Sequence, residues 1–240
     1  MRSPQRLART AGVLYLLVGL FGGFAEGGVE PQMYVAGDAA GTSANLVAHA
    51  GLVRLAVVSD LVNQVVFVVL ALTLYSLLKD VRHTVARAMV ALVVVAAAVA
   101  SMSAVLELEG LRVATGAVDL SPLGAQGAQA VALLLLDAQH YGLLAAQVFF
   151  GLWLIPLAYL ALASRRFPRP LGALLVVAGA CYVVDVVTAV LVPAFNASIH
   201  LSVVAPCTTA AELWMVGYLL TVGVRSRESV GADERVGLAA

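Results

Sequence analysis

Six long apolar stretches, separated by short polar breaks, make up most of the chain, at about 11–28, 52–78, 86–106, 141–163, 171–192 and 201–224. A bilayer core of about 30 Å needs roughly 20 mainly apolar residues per helix at 1.5 Å rise. The pattern therefore predicts an all-α membrane protein, a six-helix transmembrane bundle forming one domain over residues 1–240. The soluble parts are slight: a loop at about 29–51, a second at 107–140, and a polar tail at 225–240. Residues 128–163 are almost continuously apolar, but as one helix they would run about 54 Å, far beyond the hydrocarbon. A division is expected between residues 137 and 140, with the earlier part forming an outer extension or a short interfacial helix.

The basic residues orient this frame, because Lys and Arg close to membrane segments are retained on the cytoplasmic side. Arg2, Arg6 and Arg9 precede the first span, Lys79, Arg82 and Arg87 follow the second, Arg165, Arg166 and Arg169 follow the fourth, and Arg225, Arg227 and Arg235 follow the sixth. Only Arg54 and Arg112 of the 14 basic residues fall on the other side. Both termini and the tail are expected to be cytoplasmic. A rival reading makes the first segment a cleaved signal peptide, with small residues around Gly23-Phe24-Ala25. Against it, Gly19 and Gly23 form a small-xxx-small pair suited to helix packing.

Composition agrees with the pattern. Of 240 residues, 62% are hydrophobic and 12% charged, which a soluble fold of this size could not bury. Acidic residues equal basic ones at 14 each, so nothing favours nucleic acid as a partner. The expected partner is the lipid bilayer, with a small molecule or cation as a possible ligand; no protein partner can be named. Cys181 and Cys207 lie inside apolar runs without C-x-x-C spacing and read as small buried apolar residues.

Several stretches together resemble a known family. Residues 9–16 (RTAGVLYL) open the first helix, and 52–55 (LVRL) with Ser59-Asp60-Leu61 open the second. Later come 149–160 (FFGLWLIPLAYL), then 168–172 (PRPLG) leading to 179–185 (GACYVVD). This order resembles a family of bacterial multi-pass membrane proteins known only as domain of unknown function 4386, over nearly the whole chain. Ala158 stands where that pattern carries glycine, a small-for-small change. The resemblance implies a bacterial cytoplasmic membrane and the six-helix layout. It implies no activity.

Ionisable residues at membrane depth are costly and point to function. Asp60, Asp185 and Glu212 lie roughly 12, 10 and 16 Å from the outer ends of helices two, five and six, and are expected to meet in one outward-facing polar pocket. Asp60, Asn63 and Gln64 share a helix face, as do Tyr182 and Asp185. Glu26, Arg54, Glu107, Glu109, Asp137, His140 and His200 are expected around the outer rim, with Arg54 pairing to Glu107 or Glu109. The bland alternative is that these groups only fix helix register. An enzyme is less favoured. Asp137 and His140 at i, i+3 would need His49, His200 or Glu107 to complete a metal site, and no H-E-x-x-H, G-x-S-x-G or P-loop is present. No cofactor and no metal centre are expected. The reading is a membrane protein that binds, senses or transports a small ligand or cation, the alternatives being a membrane enzyme or a structural or regulatory subunit. Pro156 in the fourth helix and Pro206 in the sixth should each kink their helix.

Overall fold

The structure is a computed structural model that describes residues 3–224; the basic residues Arg2, Arg225, Arg227 and Arg235, and with them the polar tail, lie outside the described residues. Every regular element described is helical, and six helical stretches are long and apolar enough to cross a membrane. Large apolar side chains are exposed along them, among them Val65, Leu134, Val190 and Leu213, a surface suited to lipid rather than water.

The helices extend further than hydropathy alone indicates. The first stretch comprises α1 (Pro4–Gly22), π-helical turns at Gly23–Val29 and α2 (Glu30–Met33). The predicted 29–51 loop is therefore largely helical, since α3 (Ala39–Ala48) follows after a short turn, capped by the Asp38 carboxylate, which accepts from the Gly41 N–H at 2.8 Å. Then come α4 (Ala50–Leu78) and α5 (His83–Ala114). The predicted 107–140 loop shrinks to residues 115–120 and a single 3₁₀ turn, Ser121–Leu123.

A second correction concerns the long apolar interval. α6 (Gly124–Leu152) passes unbroken through Asp137 and His140, and the interruption falls at Trp153, before α7 (Leu154–Ser164). The reason is Pro156: it offers no N–H to the carbonyl of Leu152, and its ring clashes there, so the helix is interrupted one turn upstream. Asp137 and His140 need no break because other side chains satisfy them, as described below. The chain closes with α8 (Arg169–Leu191), α9 (Pro193–Ile199), a second π-helical segment at His200–Val204, and α10 (Ala205–Thr221). Pro206, in the first turn of α10, is accommodated by that wide turn.

Two compact units can be distinguished. Unit 1 is Met1–Leu16, Val68–Ala96 and Gln147–Ala240; unit 2 is Leu17–Phe67 and Ala97–Ala146. In unit 1, Gly223 adopts a φ of +76°, ending α10 with its N–H on the Tyr218 carbonyl. The chain then meets its own beginning: the Gln5 amide donates to the Val224 carbonyl at 2.8 Å and accepts from the Val224 N–H at 3.2 Å. The two ends of the described helical chain thus lie side by side. Arg166 donates to the Leu77 carbonyl at 2.8 Å, satisfying the open C-terminal end of α4. Gly151 of α6 and Gly179 of α8 meet backbone to backbone, a Cβ on either landing 2.7–2.8 Å from the other's carbonyl oxygen.

In unit 2, Ala25, Val29, Met33, Leu46, Val53, Ala56, Leu111 and Leu136 form one apolar cluster. A Cβ added at Gly19 or Gly23 would meet nothing within 4 Å, whereas on the same segment one at Gly22 would lie 3.2 Å from the Asn63 amide nitrogen. The small-xxx-small expectation is corrected accordingly.

Candidate functional site

Unit 2 has a polar interior built from several helices. Ser59 Oγ donates to the Phe21 carbonyl at 3.2 Å, setting one face of α4 against α1, and Asn63 lies on the same face one turn on. Asp60 and Gln64 occupy the adjoining face. All four α4 residues are buried. Opposite one another run α5 and α6, where a side chain on Gly142 would strike Ser103 and one on Gly110 would strike Leu136. That antiparallel register sets buried Glu107 level with buried Gln139. Glu26, exposed on the π-helical turns, and half-buried Glu30, which opens α2, border this interior: Glu26, Glu30, Asp60 and Glu107 all lie within electrostatic reach of one another.

No Lys or Arg forms an ion pair with Asp60 or Glu107 among the described residues. Four buried oxygens, Asp60 Oδ1, Asn63 Oδ1, Gln64 Oε1 and Gln139 Oε1, find no hydrogen-bond donor among them either. Buried polar atoms are nearly always paired, so four such acceptors in one unit call for a donor or cation from outside the chain.

The neighbouring surface of unit 2 is aromatic and acidic. Tyr34 donates to Asp137 Oδ1 at 2.6 Å, and His140 Nδ1 lies 3.0 Å from Glu30 Oε1. The Tyr34 and His140 rings stack with centroids 5.4 Å apart. Partial burial and the Asp137 carboxylate push the Tyr34 phenol above its ordinary range, so it remains a donor at physiological pH. These bonds also explain the unbroken α6.

The expectation for Arg54 is not met. It is exposed on α4, Glu109 pairs instead with Arg112 at 2.6 Å, and Glu107 is buried rather than at the rim. An exposed i, i+3 pair of this kind contributes about 0–1 kcal/mol.

Unit 1 contains the other predicted residues, in two partner sets. Asp185 of α8, 3% exposed, accepts from Gln147 Nε2 of α6 at 2.6 Å and from Asn196 Nδ2 of α9 at 3.0 Å. His200 Nδ1 lies 2.9 Å from the same carboxylate, and Asn196 also donates to the Asp185 carbonyl and Thr188 Oγ1. Glu212 of α10 accepts from Tyr182 of α8 at 2.7 Å, with Tyr15 of α1 nearby in the same unit. The three acids named from the sequence therefore divide: Asp60 belongs to unit 2, Asp185 and Glu212 to unit 1. Among the described residues no three His, Cys, Asp or Glu are placed to share a metal ion, so Asp137, His140, His49, His200 and Glu107 form no metal centre there.

A family model described as a domain of unknown function (DUF4386) matches residues 10–223, nearly all of the described chain. The chain belongs to the DUF4386 family. No curated protein and no solved structure matches it. The DUF4386 match spans all of the site residues above. Sequence reasoning undervalued Glu30, Gln139, Gln147 and Asn196. The usable signal was present in one of them: Gln147 is the one amide in the apolar run 141–163, costly to place there without a partner.

Proposed function

We propose that this DUF4386 protein is a multi-pass protein of a bacterial cytoplasmic membrane, with both ends in the cytoplasm, that binds a small cation in the polar interior of unit 2. The observation that carries the reading is the set of unpartnered acceptor oxygens on Asp60, Asn63, Gln64 and Gln139, beside the carboxylates of Glu26, Glu30 and Glu107. Asp60 and Glu107 are the buried carboxylates of this set, and no basic side chain is paired with either among the described residues, which favours a positive charge from outside the chain. An ammonium group or a partly hydrated monovalent ion supplies both the charge and the missing partners. The distribution of basic residues puts this site toward the outer face, with Tyr34, Asp137 and His140 at its mouth.

Two measurements test this. With methylammonium or sodium at a hundred times its dissociation constant, the purified protein should gain about 2.7 kcal/mol of stability against unfolding. Asp60→Asn and Glu107→Gln should each abolish that gain. The reading fails if neither cation shifts the unfolding curve, or if Asp60→Asn responds like wild type. For topology, single cysteines in a Cys181- and Cys207-free background should be protected from an impermeant thiol reagent in intact cells at Ser3 and Thr84, and labelled at Ser121. Ser121 is exposed, whereas Thr42 in α3 is buried against the Val35 backbone and would be a poor reporter. Labelling of Thr84 from outside would invert the assignment.

A further inference from the structure

Asp185 is the most fully hydrogen-bonded acid described, and its partners are not equivalent. Gln147 and Asn196 are neutral amides that fix both carboxylate oxygens. His200 is the one partner that carries a mobile proton. Its side chain is 46% exposed while that of Asp185 is 4% exposed, so the pair joins an accessible imidazole to a buried carboxylate. With Nδ1 committed to Asp185 Oδ2, the exchangeable position is Nε2. His200 also opens a π-helical segment, closed by the bond from the Ala205 N–H to the His200 carbonyl, a wide turn of a kind frequent at functional sites. One turn back along α8 from Asp185, Tyr182 donates to Glu212.

We propose that His200 and Asp185 form a proton-transfer pair, in which His200 takes up a proton from the exposed face of unit 1 and delivers it to the buried Asp185 carboxylate. A proton bonds to Nε2, giving an imidazolium. The Nδ1–H bond then breaks as an O–H bond forms at Asp185 Oδ2, so one proton enters, one reaches the carboxylate, and the imidazole is left neutral with its proton on Nε2. Return follows the same path in reverse. The groups bonded to the pair are Gln147 from α6, Thr188 from α8 and Asn196 from α9, while Tyr182, one turn back along α8, bonds Glu212 of α10. No further Asp, Glu, Lys or Arg is bonded to either member among the described residues. Gln147 and Asn196 are positioning residues that keep the carboxylate aimed at Nδ1. The proposal concerns unit 1 alone and does not depend on the cation site of unit 2.

The test follows the carboxyl infrared band of the purified protein after a rapid drop in pH, the Asp185 contribution being the band lost in Asp185→Asn. In His200→Ala and His200→Gln, protonation of that carboxylate should slow by roughly 100-fold. Added imidazole should restore the rate in His200→Ala, an effect a purely structural histidine would not give. His200→Gln retains an amide donor toward Asp185 and keeps the test open if the alanine variant does not fold. The proposal is overturned if Asp185→Asn removes no responsive band, if both His200 variants protonate at the wild-type rate, or if imidazole fails to rescue a slowed His200→Ala.

Discussion

Asp185→Ala is expected to lower stability by about 3–5 kcal/mol, because it removes an acceptor at the meeting point of α6, α8, α9 and the π-helical segment. Gln147 Nε2, at 2.6 Å, and His200 Nδ1, at 2.9 Å, would both lose the same oxygen. Asn196 would retain the Asp185 carbonyl and Thr188 Oγ1, so its loss is partial. Most of the penalty is the cost of leaving the part-buried Gln147 amide without its acceptor rather than the net value of the bonds, since the His200 side chain is 46% exposed. Asp185→Asn should fall between wild type and Asp185→Ala, since an amide oxygen still serves one donor while its NH₂ opposes another. Denaturant or thermal unfolding in mild detergent measures both. A loss under about 1 kcal/mol in Asp185→Ala would mean that the polar cluster adds nothing net to the helix packing.

Gly151→Leu and Gly179→Leu are expected to be comparably damaging, at about 3 kcal/mol or more. A Cβ on Gly151 would lie 2.7 Å from both the Gly179 carbonyl oxygen and the Tyr182 Cβ, and one on Gly179 would lie 2.8 Å from the Gly151 carbonyl oxygen. What stands in the way is mainly backbone, which cannot turn aside as a long side chain does, so α6 and α8 would have to separate. Separation would also loosen Gln147 from Asp185, since those residues lie on the same two helices. Gly217→Ala in α10, with nothing within 4 Å, is the control and should be neutral or slightly stabilising. Equal losses at Gly217 and Gly179 would show that the close approach is not what makes Gly179 sensitive.

Hydropathy and the family motifs were enough to determine six helices long and apolar enough to cross a membrane, the helical class and the membership. Hydrophobic run length is set by bilayer thickness, a constraint that acts on one segment at a time and is therefore legible in a linear string. The polar residues inside the apolar runs were legible for the same reason, and Asp60, Asn63 and Gln64 are all buried on α4. Helix ends were not. Beyond α1 the helical path continues through π-helical turns carrying Glu26 and into α2 at Glu30, and α6 continues past Asp137 and His140. Partners more than a hundred residues away, Tyr34 for Asp137 and Glu30 for His140, remove the cost that would otherwise have ended the helix.

Which acid belongs with which was decided only by tertiary structure. Depth counted along a helix gives height but not rotation or neighbours, so Asp60, Asp185 and Glu212 looked interchangeable in the sequence. Side-chain partners separate them: Asp60 shares unit 2 with unpartnered amide oxygens, Asp185 is enclosed by Gln147, Asn196 and His200, and Glu212 is held by Tyr182. The arginines show the same division. Their sidedness is a linear property, read against the membrane's preference for positive charge inside. That Arg166 satisfies the Leu77 carbonyl and that Arg54 is left exposed depend on how helices are rotated about their axes. Rotation is fixed by contacts such as Gly151 on Gly179, which join residues far apart in the chain and leave no local periodicity by which a sequence could announce them.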